Sequence, residues 1–423
     1  MKPSDFAARN DEGLRLWDAG QRKEAFAVFL QNVERFPNVA TAHANVAFVF
    51  LRGGALDEAR THYETALRLD PSHADAKRGL AAVLAQSGAA GAAALREIAG
   101  SDNALISLPY HGPGKPLRLL LLVSLGSGNL QIERLLDHRT FAVTKVIVEL
   151  FPANRTLPPH DLIFNSIGDA EACAEALMLA QRIIAASPGS KLLNAPHRVL
   201  QTTRVANAER LRNLPGVMTA RTRLLPRTDI AAALTRDGFA FPLLLRAPGH
   251  HTGHHFELLA KPDDLPGVLA KLPGDELYAI EYLDVRNADG KVRKYRVMFV
   301  DGELYPLHLA ISEDWKVHYF SADMANVPEH RAEDERFLET MDDVLGEGAV
   351  NALHAIESTL GLDYAGIDFA LAPDGRIVVF ETNATMVVVQ PADEERWAYR
   401  QAPVRRVTDA VREMLLARAA APA

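Results

Sequence analysis

Apolar positions in the first hundred residues recur at the spacing of a helix face, and the pattern then repeats. Gly13/Ala47, Gly20/Gly54, Ala25/Ala59, Phe29/Tyr63 and Pro37/Pro71 all stand 34 residues apart. Small residues sit where two helices must approach closely, an aromatic fills the space between them, and a proline closes each unit. The predicted element is a helix hairpin, present twice. It begins a third time at Ala76, Leu80, Ala81, Leu84 and Gly88, then decays into "AAGAAALREIAG" as a capping unit would. The repeats occupy residues 1–100. A linker over 101–116 follows, whose "SLPYHGPGKP" interrupts helix and strand alike.

Beyond the linker the period changes. "LRLLLLVS", "FAVTKVIVEL" and "DLIFNSI" are short apolar runs, followed by the helical "DAEACAEALMLAQRIIAAS" and by "KLLNAP". They predict a small parallel sheet covered on both faces over residues 117–195. The "GSGN" after the first run lacks the full glycine spacing of a dinucleotide site and reads as a strand-to-loop turn. Residues 196–418 are richer in β signals. "FPLLLRAPGHHTGHHFELL" is a strand ending at Arg246, then a glycine-bearing loop, and "ELYAIEYLD" is a buried strand. "KYRVMFVDGELYPLHLAI" folds back at Asp301 and Gly302, and "LDYAGIDFALAPDGRIVVFETNATM" at Asp374 and Gly375. The fold class is multidomain: all-α hairpins, an α/β domain, then an α+β module.

The last hairpin carries the chemistry. A two-residue turn at Asp374 and Gly375 sets Asp368 opposite Glu381, with Cβ atoms roughly 5 Å apart on one face. Alternation adds Asn383 to that face. Two facing carboxylates among Ile367, Phe369, Val379 and Phe380 repel, so the pairing calls for a bound cation; the alternative is a solvent-facing hairpin edge whose acids meet by coincidence. Hard oxygen donors favour magnesium, with manganese its nearest substitute. In the loop after Arg246, Gly249 and Gly253 let backbone amides approach phosphate oxygens while the guanidinium neutralises them. His250, His251, His254 and His255 share that loop. They are candidates for pH-sensitive phosphate contact at His254, for an adventitious zinc site, or for a solvated loop.

Charge narrows the partners. A formal net charge of −8 over 423 residues argues against nucleic acid and anionic membranes. The single cysteine, Cys173, excludes an internal disulfide, suits a reducing cytosol and reads as a small buried residue. The N-terminus lacks a signal peptide's apolar segment and no run is long enough to span a bilayer, so a cytoplasmic location is expected.

The 34-residue units resemble the tetratricopeptide repeat, which implies either a concave surface for a peptide or protein partner or a packed dimerisation element. Residues 117–416 resemble the ATP-grasp superfamily, in particular its glutathione-synthetase and RimK-like branch. That resemblance implies that Asp368, Glu381 and Asn383 hold magnesium against ATP. It places Glu281, Tyr282 and Leu283 at a hinge (residues 280–284) that holds the adenine edge, and Arg296 on the acyl phosphate as the catalytic cation. Arg204, or Arg198 one register away, would reach the phosphates beside Arg246, with the loop of Gly249, Gly253 and His254 as the flap. This chain has Arg246 where the family has lysine, and "ATMVVV" where the family has a proline-glycine turn. The implied activity is ADP-forming ligation of a carboxylate to an amine through an acyl phosphate, on an amino acid or peptide. A phosphotransferase and a non-catalytic nucleotide-binding adaptor are the alternatives. Replacing Asp368 with Asn is expected to abolish turnover with the fold intact.

Overall fold

A computed structural model describes residues 3–152, 154–249, 253–317 and 322–421. Six helices come first: α1 (Pro3–Asp18), α2 (Arg22–Arg35), α3 (Ala40–Arg52), α4 (Leu56–Leu69), α5 (Ala74–Gln86) and α6 (Ala92–Ala99). Next come β1 (Leu105–Ser107), β2 (Leu117–Val123), β3 (Phe141–Ile147), β4 (Leu162–Asn165), α7 (Ala174–Ala185) and β5 (Leu192–Leu193). Then follow α8 (Pro196–Val199), α9 (Arg204–Leu211), β6 (Val217–Thr219), β7 (Thr222–Pro226), α10 (Ile230–Arg236), β8 (Leu243–Arg246), β9 (Phe256–Leu259), α11 (Leu265–Leu269) and β10 (Glu276–Glu281). The chain ends with β11 (Val292–Val300), β12 (Glu303–Ser312), α12 (Pro328–Glu339), α13 (Met341–Leu345), α14 (Glu347–Leu360), β13 (Tyr364–Leu371), β14 (Ile377–Asn383) and α15 (Gln401–Ala420). Among the described residues, no helix is long and apolar enough to cross a membrane.

The chain divides into two compact units. The first comprises residues up to Ser107 together with Val123–Ser127 and Thr144–Thr156. Its helices pack as three successive hairpins, α1 with α2, α3 with α4 and α5 with α6. The small positions are small for a steric reason: a Cβ on Gly13 would lie 2.5 Å from the Phe29 ring, and one on Gly79 would lie 2.1 Å from the Tyr63 ring. Ala25, Ala47 and Ala59 are fully buried beside them. Gly20, Gly54 and Gly88, again 34 residues apart, take φ of 80°, 79° and 67° at the turns, a region that glycine enters without penalty. The two added segments are joined by Glu149, whose carboxylate accepts from Leu125 N at 2.9 Å and whose carbonyl accepts from Arg96.

The second unit comprises Leu108–Leu122, Gly128–Val143 and the chain from Leu157 onward. Its β2, β4 and β5 pair in parallel, with Leu119 to Leu122 almost wholly buried, as unbroken apolar runs require. An antiparallel sheet runs in the order β7-β10-β8-β9, and a five-stranded sheet in the order β12-β11-β13-β14-β6. The latter is antiparallel except for its β14–β6 pair. The β11–β12 hairpin turns at Asp301 (φ 52°) and Gly302 (φ 89°) with Val300 opposite Glu303, the two-residue turn that Asp-Gly favours.

The β13–β14 hairpin departs from the expected turn yet reaches the expected pairing. Ala372 N donates to Arg376 O, so the loop holds three residues, with Gly375 at φ 82°. That shifts the tip by one residue, and Phe369 pairs with Val379. An irregularity then leaves Phe380 over, and beyond it Asp368 faces Glu381 and Gly366 faces Asn383. The extra residue restores the register because the side-chain period is two and each slip of one reverses the faces.

Candidate functional site

One cavity of about 580 Å³ in the second unit gathers residues from the four-stranded β7-β10-β8-β9 sheet, from the β12-β11-β13-β14-β6 sheet and from the turn before α7. Of the sequence-derived residues, Arg204, Arg246, Gly253, Glu281, Tyr282, Leu283, Arg296, Asp368, Glu381 and Asn383 line it. Gly249 and His254 do not line it, and His254 is exposed. His255, at φ 49°, directs its ring toward the Lys271 carbonyl. His250 and His251 lie outside the described residues. Arg198 is spent on the Gly361 carbonyl, which leaves Arg204 as the basic residue of that segment in the cavity.

The two carboxylates are each met by cations. Asp368 is 4% exposed. Its Oδ1 accepts from Arg296 Nε at 2.6 Å, and its Oδ2 accepts from Arg296 Nη2 at 2.8 Å and from Lys294 Nζ at 2.9 Å. Burial works against ionisation of this carboxyl, but Arg296 and then Lys294 outweigh it and hold the acid far below the usual carboxylate range. Glu381 Oε1 accepts from Arg204 Nη2 at 2.8 Å and from Asn383 Nδ2 at 3.0 Å. The Asn383 carbonyl faces the other way, accepting from Thr385 N and Oγ1, each at 2.9 Å. The expected face of Asp368, Glu381 and Asn383 is thus present, but Asn383 turns its amide N–H, not its oxygen, to Glu381.

Arg204 sits at the start of α9, behind the Thr203 cap, and its backbone N–H donates to Glu171 Oε1 at 2.9 Å. Burial opposes its charge, yet Glu381 and Glu171 together raise its pKa above the ordinary guanidinium value. On β8, Arg246 is 7% exposed; burial, followed by repulsion from Arg204, pulls it down to about 10. Its guanidinium lies 5.2 Å from the Phe256 ring centroid.

The cavity also has an apolar side, formed by Leu244, Ile280, Leu283, Val285, Val292 and Val378, with the Trp315 ring set edge-on to both Phe256 and Tyr282. The Glu281 backbone N–H is used by Arg221 O at 2.9 Å. Those of Tyr282 and Leu283 join no backbone hydrogen bond among the described residues. A flat heterocycle with donor and acceptor edges fits there, because the walls are apolar and these peptide groups are available.

Several lining residues escaped the sequence reading. Lys294 stands two residues before Arg296 on β11, on the same strand face, a signal that alternation alone would have supplied. Asp169 and Glu171 come from the turn before α7, where Asp169 Oδ1 caps the N–H groups of Glu171 and Ala172. Lys316 reaches Phe256 O at 2.8 Å. Arg400 is 3% exposed and pairs with the fully buried Asp334. No short motif marks these four.

The donor set suits magnesium in kind: two carboxylates and an amide, with no sulfur or imidazole between them, for an ion that completes its shell with water and phosphates. Among the described residues, no group of three or more His, Cys, Asp or Glu is placed to hold a metal, so His254 and His255 build no such site with described neighbours.

No protein-family profile and no curated protein matches the chain. The solved structures similar to it include two amino-acid ligases and an ATP-grasp protein. The D-Ala:D-Ser ligase VanG of Enterococcus faecalis is 13% identical, over 71% of this chain and 100% of its own, at a TM-score of 0.45. The D-alanine–D-alanine ligase of Bacillus anthracis complexed with ATP is 15% identical, over 73% and 100%, at 0.43. A RimK domain ATP-grasp protein of Sphaerobacter thermophilus is 17% identical, over 71% and 99%, at 0.41.

Proposed function

We propose that the cavity binds ATP with magnesium, transfers the γ-phosphate to a substrate carboxylate, and lets an amine capture the acyl phosphate with release of ADP and phosphate. The observation that carries this reading is the convergence, in one cavity, of two opposed carboxylates, four buried or half-buried cations (Arg204, Arg246, Lys294 and Arg296) and an apolar slot flanked by the Tyr282 and Leu283 peptide groups. The slot takes the adenine, and the cations lie where a triphosphate would bring its charge.

Glu381 is the carboxylate that would take magnesium directly, with Asp368 and Asn383 beside it on the same face, and the ion's charge would offset the phosphate oxygens. Arg296 serves the charge that grows on the transferring phosphoryl group, a stabilisation that a fixed guanidinium in a water-poor site supplies without reorganising. None of these residues acts as a nucleophile. The chain's part is to position the carboxylate, the amine and the nucleotide and to exclude water.

ADP release measured against pools of carboxylic acids and amines tests the proposal. Ligation predicts that oxygen-18 in the substrate carboxylate appears in the released phosphate. Release of ADP without that label would instead support phosphotransfer to another acceptor. The helix hairpins of the first unit we read as tetratricopeptide repeats that offer a surface to a peptide or protein, which binding of a peptide library to the full chain, lost in a chain lacking residues 1–100, would reveal.

A further inference from the structure

Resting on the nucleotide reading above, the geometry points to Lys294 as a built-in cation that stands in for a second divalent ion, so that the cavity takes up ATP with one magnesium. An ionised carboxylate offers about four lone-pair positions, and on Asp368 the three donor contacts from Lys294 and Arg296 occupy most of them. The Lys294 side chain is 9% exposed and that of Asp368 6%. An ion arriving at Asp368 would therefore have to push a buried ammonium away from its counter-charge, which water cannot replace there.

Glu381 differs. Its side chain is 26% exposed, so it is the carboxylate of the pair that a hydrated magnesium can reach. The buried trio of Lys294, Arg296 and Asp368 keeps one net positive charge, which suits a polyphosphate and which a second magnesium would otherwise provide. Lys294 and Arg296 project from alternate positions of one rigid central strand, so this charge is fixed before the nucleotide arrives.

The test is calorimetric titration of the full chain with ATP at free magnesium from about 0.1 to 10 mM, a range in which one ion already rides on the nucleotide and a second one bound at the site would add affinity by mass action. The wild-type affinity should stay flat across the range, and that of Lys294→Arg should stay flat too. Lys294→Met should bind about tenfold more weakly at the low end and recover as magnesium rises. Wild-type affinity that climbs in proportion to magnesium overturns the inference, as does a Lys294→Met profile that is flat at the wild-type level. The wild-type titration decides by itself if Lys294→Met does not fold. If the wild type binds no ATP at any magnesium concentration, the nucleotide reading falls and takes this inference with it.

Discussion

Replacing Asp368 with Asn is expected to damage the fold as well as the chemistry, contrary to the sequence-based expectation of an intact scaffold. The carboxylate is 4% exposed and is the shared counter-ion of Lys294 and Arg296. Its loss leaves an ammonium and a guanidinium side by side with no negative charge between them. Removing one partner of a buried ion pair costs about 3–5 kcal/mol. The Arg296 side chain keeps 20% exposure against 9% for Lys294, so water relieves part of the penalty and the lower end, about 3 kcal/mol, is expected. For a unit of about 300 residues, an unfolding entropy of about 2.1 cal/mol/K per residue makes each kcal/mol worth about 1.6 °C of melting temperature, a shift of roughly 5 °C. Scanning calorimetry of the wild type, Asp368→Asn and Asp368→Asn/Lys294→Met measures it. The double variant should regain stability relative to the single one, because it removes one of the two orphaned charges. An Asp368→Asn protein that melts with the wild type, or a double variant that loses still more, would refute the reasoning.

Gly366→Ala should cost about 1–3 kcal/mol, since its Cβ would lie 2.6 Å from Met386 Cγ and 3.0 Å from Met298 Sδ; urea unfolding reads the loss. Met386 lines the cavity, so nucleotide affinity should fall with it. His62 is pulled below its ordinary value by burial and then by His43, whose Nδ1 lies 3.1 Å from its own. The folded helices therefore prefer the neutral ring, and their stability is full above the unfolded pKa of about 6.5 and declines as pH falls below it. Melting at pH 7.5 and at pH 5 should show the decline in the wild type and a smaller one in His62→Gln; equal declines would remove the pair as the cause. His254 is exposed and outside the cavity lining, so His254→Ala should leave ATP affinity unchanged from pH 6 to pH 8, against the pH sensitivity expected from the loop's sequence. A loss of affinity on that substitution would return His254 to the site.

Local order was legible in the sequence wherever one residue's geometry dictates its neighbours. The 34-residue spacing of small and aromatic positions announced the helix hairpins, because only a small residue admits the facing ring, and at Gly13 beneath Phe29 only glycine does. Asp301 and Gly302 announced a two-residue turn, and the facing of Asp368 and Glu381 was likewise foreseen. That second success was reached through a turn of the wrong length, corrected by the extra residue at Phe380, which no pattern of alternation contains. Tertiary structure alone decided the rest. Which cations meet which acids depends on strands brought together from distant parts of the chain, so the pairing of Arg204 with Glu381, 177 residues away, has no local signature. The same holds for Arg400 with Asp334 and for Glu171 beneath Arg204, since charge complementarity acts through space while sequence spacing records only neighbours along the chain.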